Sequence, residues 1–337
     1  MVNGLNLLFQ FLDNFAFIVL AASGLAIIFG IMGVINLAHG EFILVGAYAT
    51  TLLSATGTPF LAGVSLPLPV AILVGVVVAG VFGLVVERAV ISGALPNWLW
   101  AKTRPPLANA LPDGASRKLP KTPLVSPLYD RLVDSMVATW GLSLITVQLV
   151  RIVFGTSIPQ AGTPFGAINY AGGAFSYSVY PLVLSGVAVV VLAGTYLLFT
   201  RTEFGMRARA TIQDEDTARA MGVDTERTYT ATFVVGSMLA GLAGALYAPF
   251  LNLGPQFGES FLVESFVAVV AGGTSVVVGT TAAGGLLGGV NALVTNLTEA
   301  PFFGRIALLV TALLILRFLP GGVSGYVERL RERRKEA

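Results

Sequence analysis

The 337-residue chain contains no cysteine and a single histidine, His39. The first absence removes disulfides, thiolate nucleophiles and Cys-ligated metal sites. The second leaves no His-rich metal site and no spare imidazole for a Ser-His triad, so neither metal nor cofactor is expected. Charge is scarce too: 11% of residues are Asp, Glu, Lys or Arg and 55% are hydrophobic, whereas a soluble domain carries about a quarter charged residues. A net charge of +2, scattered along the chain, does not make a nucleic-acid surface. The first residues lack a basic n-region and a small-residue cleavage pattern, so no cleavable signal peptide is expected. There is also no Gly-x4-Gly-Lys-Ser/Thr run, hence no Walker A loop. What is left is an integral membrane protein.

Its cations give the topology. Eighteen of the twenty Lys and Arg residues fall in three stretches, 88–131, 201–227 and 317–337; only Arg151 and Arg305 lie elsewhere. Cationic side chains are costly in hydrocarbon and are retained on the cytoplasmic face. A span needs about 20 apolar residues, and candidates run over 15–35, 41–53, 67–86, 133–154, 179–200, 230–250, 261–277, 280–297 and 304–319. Nine crossings put the N-terminus outside and every basic stretch, including the 321–337 tail, in the cytoplasm. The glycine pairs at 272–273 and 284–285 suit a re-entrant pair over 261–297 equally well, which preserves the parity with seven full crossings. The predicted fold is all-α, a polytopic transmembrane bundle forming one domain over 1–337. Gly236, Ala240, Gly244 and Ala248 recur every four residues, the pattern of close helix packing in membranes. Residues 92–127 hold seven of the 17 prolines and read as an irregular cytoplasmic insertion.

Two segments carry chemistry. In the first, Asn36, His39, Gly40 and Glu41 fall within six residues at the junction of two apolar spans. Polar groups at membrane depth usually face a cavity or the bundle interior, while a hydrated interfacial turn is the plainer alternative. In the second, Arg201, Gly205 and Arg209 precede Asp214, Glu215 and Asp216, then Ala218, Met221 and Gly222. Asp214 suits a helix N-cap with acidic residues in the first turn, and Gly222 suits its end. A short cytoplasmic helix with an apolar spot at Ala218 and Met221 fits a partner's groove; a solvated loop helix is the alternative.

Together these runs resemble the membrane-spanning permeases of ABC importers for branched-chain amino acids, urea and short-chain amides. The residues concerned are Asn36-x-Ala38-His39-Gly40-Glu41, Gly46-Ala47-Tyr48, the 138–144 run from Ala138 to Leu144, and Arg201-Thr-x-Phe-Gly205 through Arg209 with Ala218 and Gly222. Gly241-Leu-Ala-Gly244 and Gly272-Gly273 with Gly279 complete the set, in order, over most of the chain. The resemblance implies a substrate path at Asn36, His39, Gly40, Glu41 and Glu264, and ATPase coupling at Arg201, Gly205, Arg209, Ala218 and Gly222. The partners it implies are cytoplasmic ABC ATPases, a second permease subunit in a heterodimer, an extracytoplasmic solute-binding protein and the lipid of the plasma membrane. It says nothing of the 92–127 insertion. Glu264, just before Ser265-Phe266, is similar to the urea-type branch and tilts the substrate slightly toward urea or amides.

Two rivals differ in class. A proton-coupled carrier or channel using His39 and Glu41 has no need of a 201–223 element. An intramembrane protease would use Ser324 in Gly322-Val323-Ser324-Gly325, beyond the last span and far in sequence from His39, the one available base.

Overall fold

In hydrocarbon each backbone N–H and C=O must be satisfied within the chain, so apolar runs close into helices. The computed structural model describes residues 2–54, 65–110, 126–129, 131–158, 162–170, 175–273, 275–319 and 321–326. In chain order the helices are α1 (Val2–Met32), α2 (His39–Ser54), α3 (Leu68–Val86), α4 (Ala94–Ala110), α5 (Leu132–Phe154) and α6 (Val179–Arg201). There follow α7 (Glu203–Gln213), α8 (Glu215–Ala220), α9 (Thr225–Tyr247), α10 (Glu259–Gly272), α11 (Val276–Thr298) and α12 (Pro301–Phe318). An antiparallel hairpin of β1 (Ala167–Tyr170) and β2 (Phe175–Ser178) leads into α6; these are the only strands among the described residues, and an isolated antiparallel bridge joins Ile158 to Leu253.

Seven of these helices, α1, α3, α5, α6, α9, α11 and α12, are long and apolar enough to cross a membrane. Contacts fix their directions. Phe17 meets Tyr247 and Gly24 meets Gly236, so α1 opposes α9. Ala79 faces Gly241 and Gly83 faces Ser237, so α3 opposes it too. Phe42 lies on Phe233 and Gly46 on Gly241, which sets α2 parallel to α9. Continued through α5, α6, α10, α11 and α12, the sense alternates at each membrane-level helix. That alternation agrees with the odd parity read from the cations.

Two of the alternating helices are short. The 16 residues of α2 and 14 of α10 extend about 24 and 21 Å at 1.5 Å per residue, less than a hydrocarbon core of about 30 Å. Within 261–297, therefore, α10 is too short to cross by itself, whereas the 23-residue α11 is long enough. Non-helical segments at 33–38 and 251–258 precede the short helices. Such backbone is tolerated in a bilayer only where protein or a cavity surrounds it, and Val34, Asn36, Ala38, Leu253 and Phe257 are all buried.

The two halves of the bundle answer each other. α1 packs on α11 as α9 packs on α3, α1 on α10 as α9 on α2, and α10 on α11 as α2 on α3. Where the halves meet, Gly40 at the start of α2 and Gly258 just before α10 touch backbone to backbone; a Cβ at Gly40 would lie 2.6 Å from the Gly258 carbonyl oxygen. A matched pair of interrupted spans is the signature of inverted-repeat transporters, whose sites form at the breaks. The predicted glycine seam on α9 is used for packing: Gly236 faces Ile28 and Gly244 the Ile43 backbone.

One expectation is corrected. Residues 94–110 of the supposedly irregular insertion form helix α4. Pro96 lies in its first turn, where a missing N–H costs nothing. The turn is held by the Asn97 N–H on the Gly93 carbonyl (3.1 Å); further along, the Thr103 hydroxyl donates to the Leu99 carbonyl (2.9 Å) and Lys102 Nζ sits 5.2 Å over the Trp98 ring. Residues 111–125 of the insertion and 327–337 of the tail lie outside the described residues.

Candidate functional site

The 33–41 segment forms a polar break inside the core. Gly33, at φ +60°, turns the chain off α1. Asn36 Oδ1 accepts from the Ala38 N–H (3.1 Å) and its carbonyl from the His39 N–H (3.2 Å), a local turn that a short amide side chain favours. α5 supplies the rest: the Leu37 N–H donates to Thr139 Oγ1 (3.0 Å), and the Ser143 hydroxyl donates to Glu41 Oε1 (2.8 Å). Both partners belong to the 138–144 run singled out in the sequence. The His39 ring reaches the Ala21 carbonyl on α1 at 2.8 Å; a carbonyl only accepts, so Nε2 carries the proton. Asn36, His39 and Glu41 are each at most 2% exposed. This burial rules out the hydrated interfacial turn. Asn36 Nδ2, His39 Nδ1 and Glu41 Oε2 are left without hydrogen-bond partners.

Glu264 is placed apart from these three. It lines a cavity of about 380 Å³ between α1, α9, α10, α11 and α12 that does not include Asn36, His39 or Glu41. Arg305 on α12 donates to its Oε1 through Nε (2.8 Å) and Nη2 (2.7 Å), and through Nη2 to the Ser260 carbonyl (3.3 Å). Sequence reading missed Arg305 as a site residue. Its signal was there: it is one of two cations outside the basic stretches, and an isolated charge in a span is rarely idle. Asp13, on the same cavity wall, was missed with it.

On the side of the basic loop, α7 and α8 are built as their residues dictate. Thr202 caps α7 by accepting from the Gly205 N–H (3.2 Å), and Gly205 presses on the Phe199 backbone, where a Cβ has no room. Arg201 ends α6, and Arg201 and Arg209 are both exposed. Asp214 caps α8 by accepting from the Thr217 N–H (3.0 Å). That bond holds the Asp214 carboxyl below its ordinary range, with the Thr217 hydroxyl adding to it. At the other end the Val223 N–H bonds the Ala218 carbonyl (3.0 Å) and the Gly222 N–H the Arg219 carbonyl (2.9 Å). This is a Schellman closure around Gly222 at φ +88°. Ala218 is buried, Met221 is 81% exposed, and an open groove beside them is lined by Phe204, Met206, Val223 and Arg227.

α8 is tied to α9. Arg219 pairs with Glu215 (2.5 Å) and donates to Thr225 Oγ1 (2.8 Å), and the Tyr229 hydroxyl donates to Glu215 (3.1 Å). Behind Tyr229, Tyr129 stacks at 4.6 Å and donates to Glu87 Oε1 at 2.6 Å. Glu87, fully buried in a π turn (Glu87–Ile91) at the end of α3, also meets Arg88, which reaches Glu226. Ser324, of the protease rival, accepts from the Ser275 N–H (3.3 Å) while His39 is bound to α1, so the two residues belong to different neighbourhoods.

A bundle of alternating helices with two interrupted spans and a loop helix capped at both ends defines the class, a polytopic membrane permease. A family model described as "Branched-chain amino acid transport system / permease component" matches residues 7–319. The chain belongs to that family, and is a transport component rather than an enzyme. It is 25% identical to a probable branched-chain amino acid transport permease protein LivH of Methanocaldococcus jannaschii over 91% of this chain and 88% of the relative. It is 25% identical to the high-affinity LivH permease of Salmonella typhimurium, over 92% and 91% of the two chains. With the BraD permease of Pseudomonas aeruginosa the identity is 26% over 92% of each. No solved structure matches.

Proposed function

We propose that this chain is the permease subunit of an ABC importer that carries branched-chain amino acids across the plasma membrane into the cytoplasm. It works by alternating access, driven by cytoplasmic ATPase subunits, with a second permease subunit beside it and an extracytoplasmic solute-binding protein delivering the solute. The N-terminus lies outside and the C-terminus inside. The observation that carries this reading is α8: capped at both ends, offering exposed Met221, and tied to α9. A carrier without a motor has no use for such an element.

In this reading α8 sits in a groove of the ATPase, with Arg201, Gly205, Arg209, Ala218 and Gly222 forming or presenting the contact. The solute passes Glu264 and then the break at Asn36, His39, Gly40 and Glu41, whose unpaired polar atoms gain partners when the bundle opens. The names of the relatives favour branched-chain amino acids over the urea or amides suggested by Glu264 alone, and Glu264 is already held by Arg305. Uptake of labelled leucine and labelled urea in cells expressing the whole operon tests this. Leucine is expected to accumulate and urea not; urea uptake without leucine uptake reverses the substrate. A detergent pull-down that yields no ATPase turns the reading to a gradient-driven carrier.

A further inference from the structure

The Glu264 cavity contains more than a path requires. Glu264 is 6% exposed and Tyr247 is 2% exposed, yet Glu264 Oε2 and the Tyr247 hydroxyl have no hydrogen-bond partner. Both residues line the cavity, and Asp13 lines it beside them. Buried polar atoms are nearly always paired, so two such atoms on residues that line one cavity call for a partner from outside the chain. Two carboxyl groups and one guanidinium line this cavity, and the guanidinium is paired with Glu264, which leaves a surplus of acceptors for a ligand rich in donors. Arg305 spends Nε and Nη2 on Glu264 and Ser260; its Nη1 edge remains for an anion. The aromatic rings of Phe17 and Phe250 supply an apolar wall.

We infer that this cavity is the membrane domain's own subsite for an aliphatic α-amino acid, its ammonium on Glu264 Oε2, Asp13 and Tyr247 and its carboxylate on Arg305 Nη1. The inference rests on the transport reading above and adds the residues that recognise the solute after its release from the binding protein. A neutral amide satisfies the acceptors but brings no anion to Arg305. A simple amine fails in the same way. A site built to pair both ends rejects ligands that lack one, since its buried groups are then left open.

The test is binding of labelled leucine to the detergent-purified permease–ATPase complex with no binding protein present. Wild type is expected to bind leucine saturably, with displacement by valine but not by isopentylamine or urea. Glu264→Gln and Asp13→Asn should each weaken leucine at least tenfold. Arg305→Lys should narrow the gap between leucine and isopentylamine. Tyr247→Phe removes one hydroxyl at nearly constant volume and carries the test if Glu264→Gln is not monodisperse. Displacement by urea, or variants indistinguishable from wild type, overturns the subsite. So does absence of saturable leucine binding while cells still import leucine, an outcome that leaves the transport reading intact. Absence of leucine uptake by wild-type cells defeats the transport reading itself.

Discussion

Replacing Gly222 isolates the backbone of the turn that closes α8 from its contacts. The residue sits at φ +88°, and nothing lies within 4 Å of a Cβ built there. A substitution therefore meets no clash, and its effect comes from torsion alone. A non-glycine residue held in the left-handed region costs about 1–2 kcal/mol, and a β-branched one stands at the upper end. That energy lowers the closed-to-open ratio of the Schellman turn about 5- to 30-fold. Because the turn orients exposed Met221 and carries the Val223 N–H to the Ala218 carbonyl, Gly222→Val should reduce solute imported per ATP hydrolysed, by up to about 30-fold. Asn visits this region readily, so Gly222→Asn should recover most of the loss. The assay is the uptake-to-hydrolysis ratio of the complex in proteoliposomes supplied with its binding protein. Unchanged coupling in Gly222→Val refutes the reasoning, as does a Gly222→Asn variant equal to Gly222→Val.

Two more expectations concern the same face. The Asp214 carboxyl is held low in the folded chain, first by the Thr217 N–H; a depressed value stabilises above the unfolded pKa and is lost as pH falls through the folded one. Limited proteolysis of the 214–223 loop should therefore accelerate only on the acid side, below about pH 4, and Asp214→Asn, which still caps, should flatten that dependence. Tyr129→Phe removes the 2.6 Å bond to fully buried Glu87. Hydrogen bonds to charged groups are worth about 1.5–3 kcal/mol, so a fall in the unfolding midpoint of the detergent-solubilised protein is expected, and an unchanged midpoint contradicts the bond's assigned role. The Tyr129 hydroxyl is pushed well above its usual range, mainly by burial and then by Glu87. Its contribution is complete below the unfolded value of about 10 and fades as pH rises further.

What could be read in the sequence was what depends on near neighbours. Asp214 and Gly222 announce the two ends of α8 because a cap and a left-handed stop are each decided within four residues. The cation map gave the alternation of the helices, because lipid imposes it span by span. The short second span, 41–53, was visible for the same reason, but the non-helical segment that precedes it, 33–38, was not. The cavity was not legible, since Arg305 and Glu264 stand 41 positions apart and Asp13 and Tyr247 further still; only packing joins them. Glu87 reads as one more charge in a basic loop until Tyr129 closes over it. Helix α4 was hidden by its prolines, which mark a breaker in general; Pro96 costs nothing in the first turn, but Pro105 and Pro106 fall inside the helix and argue against it in the sequence.

Motion of α8 has few ways to dissipate. Arg219 and Tyr229 bind it to the start of α9, and α9 touches α1 at Gly24–Gly236, α2 at Gly46–Gly241 and α3 at Gly241–Ala79, each too close to admit a Cβ. Interfaces packed backbone on backbone shift as units rather than deform. A push on α8 therefore carries α9 with its neighbours, and displacement must be taken up where helical hydrogen bonding is already interrupted. Those places are 33–38 and 251–258, which lead into the two helices that meet at Gly40 and Gly258. Under the proposed coupling role of α8, the break that holds Asn36, His39 and Glu41 is the point where its motion would arrive. A side chain at either glycine would wedge that contact in one position, blocking transport without touching the groove of α8 or the cavity of Glu264.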